Sequence, residues 1–160
     1  MLEVAWFLLI PVGIVVGVVT ALFLHELAHA VPILLAGGTT HITIGSDSGR
    51  TVGFGPLTMT VGFDGVWKLM LYGRCRSERH HSSPVRAISV LAGPVVTVVI
   101  VSTLWMVSRG VSGPLSFVLT AIFYSELFRA ILTTVPMTYP TGPYAGMTSD
   151  GKRFLEIVRS

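Results

Sequence analysis

The feature that most constrains this chain is an apolar run without a charged residue that leads directly into a His-Glu-x-x-His motif. The run extends over Ala5–Leu24, and His25, Glu26 and His29 follow it without a break. About 20 mainly apolar residues are enough to cross a bilayer as a helix. Glu3 precedes the run and no basic residue does, which predicts a retained membrane span rather than a cleaved signal peptide.

The motif itself predicts a metal site. Two His side chains four positions apart lie one above the other on the same helix face, so both imidazoles can reach one metal ion. Glu26 stands beside His25 and His29, where its carboxylate can accept a proton from a water molecule that the ion activates. Because ionisable groups at membrane depth are costly, they are functional by default. We therefore expect one zinc ion per chain, with Glu26 as the catalytic residue.

The composition supports a membrane protein. Of the 160 residues, 51% are hydrophobic and 12% are charged, whereas a typical soluble domain has about 25% charged residues. The net charge is only +3, and no patch of basic and aromatic residues indicates nucleic-acid binding. Cys75 is the only cysteine, which excludes an internal disulfide and a zinc cluster built from cysteines.

Three segments are long and apolar enough to span a bilayer, at about 5–36, 87–108 and 114–135. They predict an α-helical membrane protein with a single domain over residues 1–160. The Lys and Arg residues concentrate in the first connection and in the tail, 136–160. The positive-inside bias then predicts an N-terminus outside the cell membrane and a cytoplasmic tail. The His pair and the tail would lie on the same side.

The first connection contains a predicted β insertion at about 40–63. Residues alternate between apolar and polar at 41–44 and at 57–63, and turn-forming residues follow each stretch. We expect a small antiparallel sheet or hairpin, followed by a polar, basic linker over 74–84.

The insertion suggests a substrate clamp. An exposed edge strand could bind an extended substrate by β-addition, since main-chain hydrogen bonds would hold it. The residues of this hypothetical clamp are Leu57, Met59, Val61 and Phe63. The alternative is a covered structural hairpin.

A catalytic zinc site needs a third protein ligand besides His25 and His29. Two Asp-Gly pairs offer a carboxylate, at Asp64 and at Asp150. Asp150 follows the third span on the side of the His pair and opens a short amphipathic stretch, with Ser149 as a possible helix cap. Residue type alone leaves three further candidates: His41, His80 and His81.

Three motifs occur in a set order, and together they make the chain resemble the site-2 protease family of intramembrane zinc metalloproteases. They are His25–His29 in the first span, Ala92–Pro94 in the second and Asp150–Gly151 after the third. The resemblance implies a three-span core with a β segment after the first span, and Asp150 as the third zinc ligand. The family pattern has Asn where this chain has Thr97, and Asn-Leu-x-Pro where it has Thr133–Pro136.

The resemblance also implies that Gly93, Pro94 and Thr97 support the active site. A threonine keeps a hydroxyl donor but has a shorter reach than asparagine. The alternative is that Thr97 is a polar helix-packing residue, and that Gly93 and Pro94 only permit close helix approach and a bend.

The expected function is hydrolysis of a peptide bond in or near the transmembrane segment of a membrane-anchored peptide or protein. The main alternative is a zinc-binding membrane adaptor without proteolytic activity. A metal transporter is disfavoured because the second span has few polar residues along it. Outside the site, Glu126 and Arg129 are spaced to form an ion pair on one helix face.

Overall fold

The computed structural model describes residues 2–78 and 81–160, and its strands all lie between the first and third helices. Within that part the elements are, in order, α1 (Leu2–Leu35), β1 (Thr40–Ile44), β2 (Arg50–Phe54), β3 (Leu57–Val61), α2 (Val66–Leu71), β4 (Gly73–Ser77), α3 (Ser83–Arg109), α4 (Pro114–Thr134) and α5 (Asp150–Arg159).

Three of these helices are long and apolar enough to cross a membrane: Leu9–Leu35 within α1, all of α3 and all of α4. Their mean hydropathies are 2.0, 2.2 and 1.6, and they correspond to the three predicted segments. α3 begins four residues earlier than the predicted 87 because Pro84 stands in the first turn of the helix. Proline is favourable there because the missing N–H would have no helical partner.

The three long helices pack against one another in pairs and leave most of their apolar side chains outside. Val12, Val16, Val95 and Phe128 are each more than half exposed. Apolar faces of this extent are typical of surfaces that contact lipid or a partner.

The sheet that follows α1 has four strands in the order β2-β3-β1-β4. β1 is central, parallel to β3 and antiparallel to β4. Ile42 and Ile44 of β1 pack with Leu22 and Ala30 of α1 in the buried core. The expectation of a purely antiparallel sheet is therefore wrong, because β2 brings the chain back and lets β3 run in the direction of β1.

The predicted polar linker over 74–84 is also partly wrong, because its first residues belong to β4. This strand is polar in sequence, and pairing with β1 makes it a strand. A further turn of helix, α2, lies between β3 and β4.

The predicted substrate clamp requires an edge strand, and β3, which carries its residues, is not one. β3 pairs with β1 on one side and with β2 on the other, so its main-chain groups have partners on both sides. Leu57 and Met59 pack against the core, while Val61 and Phe63 point toward solvent. The open edges of the sheet belong to β2 and β4.

The chain after α4 folds back and begins α5 beside the end of α4. The Ser149 hydroxyl accepts from Lys152 N–H at 3.2 Å and donates to the Val135 carbonyl at 2.7 Å. A Cβ at Gly151 would collide with the Thr134 carbonyl oxygen. Ser149 thus caps the predicted amphipathic helix, and Gly151 permits its close approach to α4.

The predicted ion pair within α4 is confirmed. Arg129 Nη2 lies 3.3 Å from Glu126 Oε1, and the Glu126 side chain is fully buried. Arg129 also donates to the Met70 carbonyl at 3.2 Å. Through Arg129, the pair therefore connects α4 to α2.

We expect Gly17→Ala to weaken the packing of α1 against α4. An added Cβ would collide with the Ile122 side chain, whereas a Cβ at Gly13 would lie at 3.4 Å from Val118, an ordinary contact. The loss should be about 1–3 kcal/mol in unfolding free energy, measured by denaturant titration in detergent. Gly13→Ala is the matched control. The double variant Gly17→Ala, Ile122→Ala should recover part of the loss, and equal stability of the two glycine variants would contradict this packing.

Candidate metal centre

Three buried side chains from the two ends of the chain converge on one point. The Nε2 atoms of His25 and His29 are 3.1 Å apart. Each of them lies 3.4 Å from Asp150 Oδ2. The side chains of His25, His29 and Asp150 are exposed by only 3%, 8% and 11%. The structure therefore brings together the two His of the motif and the Asp that the family resemblance implies.

The spacing of these atoms fits zinc. With bonds of about 2.0–2.1 Å, the ligand atoms of a tetrahedral zinc ion lie about 3.3 Å apart. Two imidazole nitrogens and one carboxylate oxygen are also a donor set that catalytic zinc sites use. Burial raises the pKa of Asp150, but the two imidazoles, when they are protonated, outweigh it through hydrogen bonds and charge and lower the pKa overall. The carboxylate is thus ionised, as metal binding requires.

The second nitrogen of each imidazole is held by α3. His29 Nδ1 lies 2.7 Å from the Ser89 carbonyl, which can only accept, so this nitrogen carries the proton. His25 Nδ1 lies 2.7 Å from Thr97 Oγ1. The Thr97 hydroxyl donates to the Gly93 carbonyl at 3.2 Å and therefore accepts from His25. Both Nε2 atoms then present lone pairs to the same point, which is the arrangement that a metal ion needs.

One face of α3 makes this arrangement possible. Ser89, Gly93 and Thr97 follow one another at intervals of four, so they lie on the same side of the helix. A Cβ at Gly93 would collide with the imidazole of His29 and crowd that of His25. Thr97 is completely buried. Sequence reasoning pointed to Gly93 and Thr97 but missed Ser89, although the shared spacing of four was visible in the sequence.

Pro94 lies on a different side of the site. It lines a cleft of about 210 Å³ together with Asp150, Gly151 and Thr134. The imidazoles do not line this cleft. Pro94 therefore lies on the α3 side of a cleft that Asp150 and other α5 residues also line.

Glu26 belongs to α1, and its side chain is buried against Gly73 at the start of β4. Only 5% of the surface of Glu26 is exposed. A Cβ at Gly73 would lie 2.8 Å from Glu26 Oε1. The Tyr144 hydroxyl accepts from Gly73 N–H at 2.7 Å and donates to Gly73 C=O at 2.8 Å. Burial raises the pKa of Tyr144, so the phenol keeps its proton. Tyr144 thus holds Gly73 against Glu26, and sequence reasoning missed both residues.

The other candidate ligands lie elsewhere. Asp64 is exposed, and its interactions with Lys68 and Ser46 lower its pKa. His41 hydrogen-bonds to Thr58 and Thr60 on the sheet. His81 lines a larger cleft, and His80 lies outside the described residues. Among the side chains that the structure describes, no fourth His, Cys, Asp or Glu joins the cluster. Cys75 stays a neutral thiol because burial raises its pKa to about 12.

Removal of the Asp150 carboxylate should reduce zinc binding. We expect Asp150→Ala to lose zinc during dialysis, because two imidazoles alone form an incomplete site. Asp64→Ala should keep the zinc content of the unchanged chain. Both can be measured by elemental analysis of the purified protein. Equal zinc content in the two variants would assign the third ligand to another residue.

Thr97→Val should weaken zinc binding about 10–100-fold, because it removes the acceptor that orients His25. Thr97→Ser keeps the hydroxyl and should stay close to the unchanged chain. Thr103→Val is the matched control, since Thr103 is an exposed residue of α3 whose hydroxyl bonds only to the Val99 carbonyl. Competition with a zinc chelator gives the affinities. Unchanged affinity in Thr97→Val would show that His25 does not need this hydrogen bond.

Comparisons with known proteins found no match for this chain. No protein-family model matches the chain, and no curated protein or solved structure matches it.

Proposed function

We propose that this chain is an intramembrane zinc metalloprotease that hydrolyses a peptide bond in or near a transmembrane segment. The observation that carries the proposal is the buried cluster of His25, His29 and Asp150. Its ligand atoms are spaced for one zinc ion, and two of them belong to a helix that is long and apolar enough to cross a membrane. Three protein ligands leave a position open for chemistry, as in catalytic zinc sites.

The chemistry would be divided between the ion and Glu26. Zinc bound at this centre would supply Lewis acidity and lower the pKa of a nearby water molecule. Glu26 would accept a proton from the water molecule that attacks the peptide carbonyl, and would then deliver this proton to the leaving amine. The position of Glu26 next to His25 and against Gly73 supports this role, since the carboxylate is buried and confined.

The substrate would bind in an extended form along β4. A helical segment keeps its carbonyls in hydrogen bonds, so it must unwind before cleavage. The bond from Gly45 N–H to Tyr72 C=O indicates that alternate residues of β4 face away from β1. Gly73 and Cys75 are such residues. The Tyr144 hydroxyl bonds the main chain of Gly73, while Cys75 lines a cleft of about 380 Å³ that His29 also lines. We infer that this edge takes the clamp role first assigned to β3.

The apolar helices support a location in the cell membrane. α3 and α4 have exposed apolar faces along their length, as a bilayer would require. The concentration of basic residues in the first connection and the tail supports an N-terminus outside and a cytoplasmic C-terminus. Substrate and water would then reach the centre from the cytoplasmic side.

The competing hypothesis is a zinc-binding adaptor without proteolytic activity. A purely structural zinc usually has four protein ligands. The cluster offers three among the described residues, which favours the enzyme. The two hypotheses differ in whether a bound membrane peptide is cleaved.

Glu26→Gln should keep its zinc and lose cleavage by at least about 100-fold, because the amide cannot accept the proton. The assay uses the zinc-loaded full chain in detergent and a panel of tagged single-span peptides, with cleavage followed on gels and zinc followed by elemental analysis. Glu78→Gln is the control, because Glu78 is an exposed residue that bonds to Thr39. Full cleavage by Glu26→Gln would contradict the role of Glu26. Absence of cleavage by the unchanged chain across the panel would favour the adaptor.

A further inference from the structure

The larger cleft beside the metal centre carries a cluster of cationic groups that the proposed chemistry does not use. Arg86 of α3 and Arg153 of α5 line it from two sides, and the metal-ligating His29 also borders it. Arg86 pairs with no carboxylate in the described ranges 2–78 and 81–160. Its planar guanidinium can donate two parallel N–H hydrogen bonds, which suits a planar anion such as a carboxylate.

The second cation is close to the metal ligands. Arg153 Nη1 lies 3.8 Å from Asp150 Oδ1, and its side chain is 49% exposed. Arg153 therefore keeps donor groups that can reach into the cleft. A group bound there would lie within a few ångströms of the side chains that hold the ion.

A third polar group lacks a partner. His81 lines the same cleft, and its Nε2 atom is buried without a hydrogen-bond partner among the described atoms. Buried polar atoms normally have one.

We propose that this cleft is a subsite for a carboxylate of the substrate, held by Arg86 and Arg153 beside the metal centre. The inference rests on the proposed protease function and adds a substrate class to it: peptides with Asp or Glu close to the scissile bond. An extended peptide advances about 3.3–3.6 Å per residue. The acidic residue would therefore lie within about three residues of the bond that is cut.

Glu156 gives the proposal a second, opposite test. Among the lining residues that the structure describes, it is the only Asp or Glu, and its charge would oppose a bound carboxylate. Removal of this charge should strengthen the preference that removal of Arg86 abolishes. Two substitutions of opposite expected effect separate a specific subsite from a general loss of folding.

The experiment uses the zinc-loaded full chain in phospholipid-free detergent. Single-span peptides carry Glu or Gln at one position at a time, on either side of the cleavage site. At one or two positions, the Glu peptide should exceed the Gln peptide about fivefold in kcat/KM. The preference should disappear in Arg86→Gln, grow in Glu156→Gln and persist in Arg159→Gln, which removes an exposed arginine of α5 away from the cleft.

A binding measurement separates this proposal from the proposed function. Glu26→Gln, which should not cleave, is titrated with the same fluorescent peptides, and anisotropy gives the ratio of Kd values. A ratio near fivefold that Arg86→Gln removes supports the subsite even if no peptide is cleaved. A ratio of one at every position, or an unchanged preference in Arg86→Gln, overturns it.

A lipid phosphate is the other anion that could occupy the cleft. Addition of phosphatidylglycerol, compared with phosphatidylcholine at the same ionic strength, tests this source. If the Glu preference survives both lipids, the cleft serves the substrate. If phosphatidylglycerol alone removes it, the cleft binds a lipid headgroup and the proposal is wrong.

Discussion

The close approach of α1 to α3 at Gly93 is the contact on which the candidate centre depends. With no side chain there, the imidazoles of His25 and His29 lie close against Gly93 of α3. The Ser89 carbonyl and the Thr97 hydroxyl then determine which nitrogen of each ring faces Asp150. A small increase in the distance between these helices would break both hydrogen bonds at once. The distance between α1 and α3 therefore determines the orientation of the two histidine ligands.

The parts that sequence reasoning predicted correctly are those encoded locally. A long, mainly apolar run defines a long helix without reference to the rest of the chain, so all three were found. The ion pair of Glu126 with Arg129 follows from a spacing of three on one helix. The facing of His25 and His29 follows in the same way from a spacing of four.

The parts that were missed depend on partners far away in sequence. β4 is polar, and only its pairing with β1 makes it a strand, so the local pattern predicted a linker. The direction of β3 relative to β1 was likewise decided by the return of the chain through β2. Asp64 and Asp150 both precede glycine, and residue pattern alone did not separate them. Their difference is three-dimensional: Asp64 faces Lys68 at the surface, while Asp150 faces the two imidazoles.

The placement of Asp150 at the first turn of α5 has a consequence for how the molecule holds together. α5 contacts the end of α4 at Gly151 and packs against α3, and from there Asp150 meets His25 and His29 of α1. An ion shared by His25, His29 and Asp150 would act as a crosslink between segments near opposite ends of the chain. Ligands that bind only the folded state stabilise it by mass action. The free energy of unfolding would therefore rise with the free zinc concentration of the compartment.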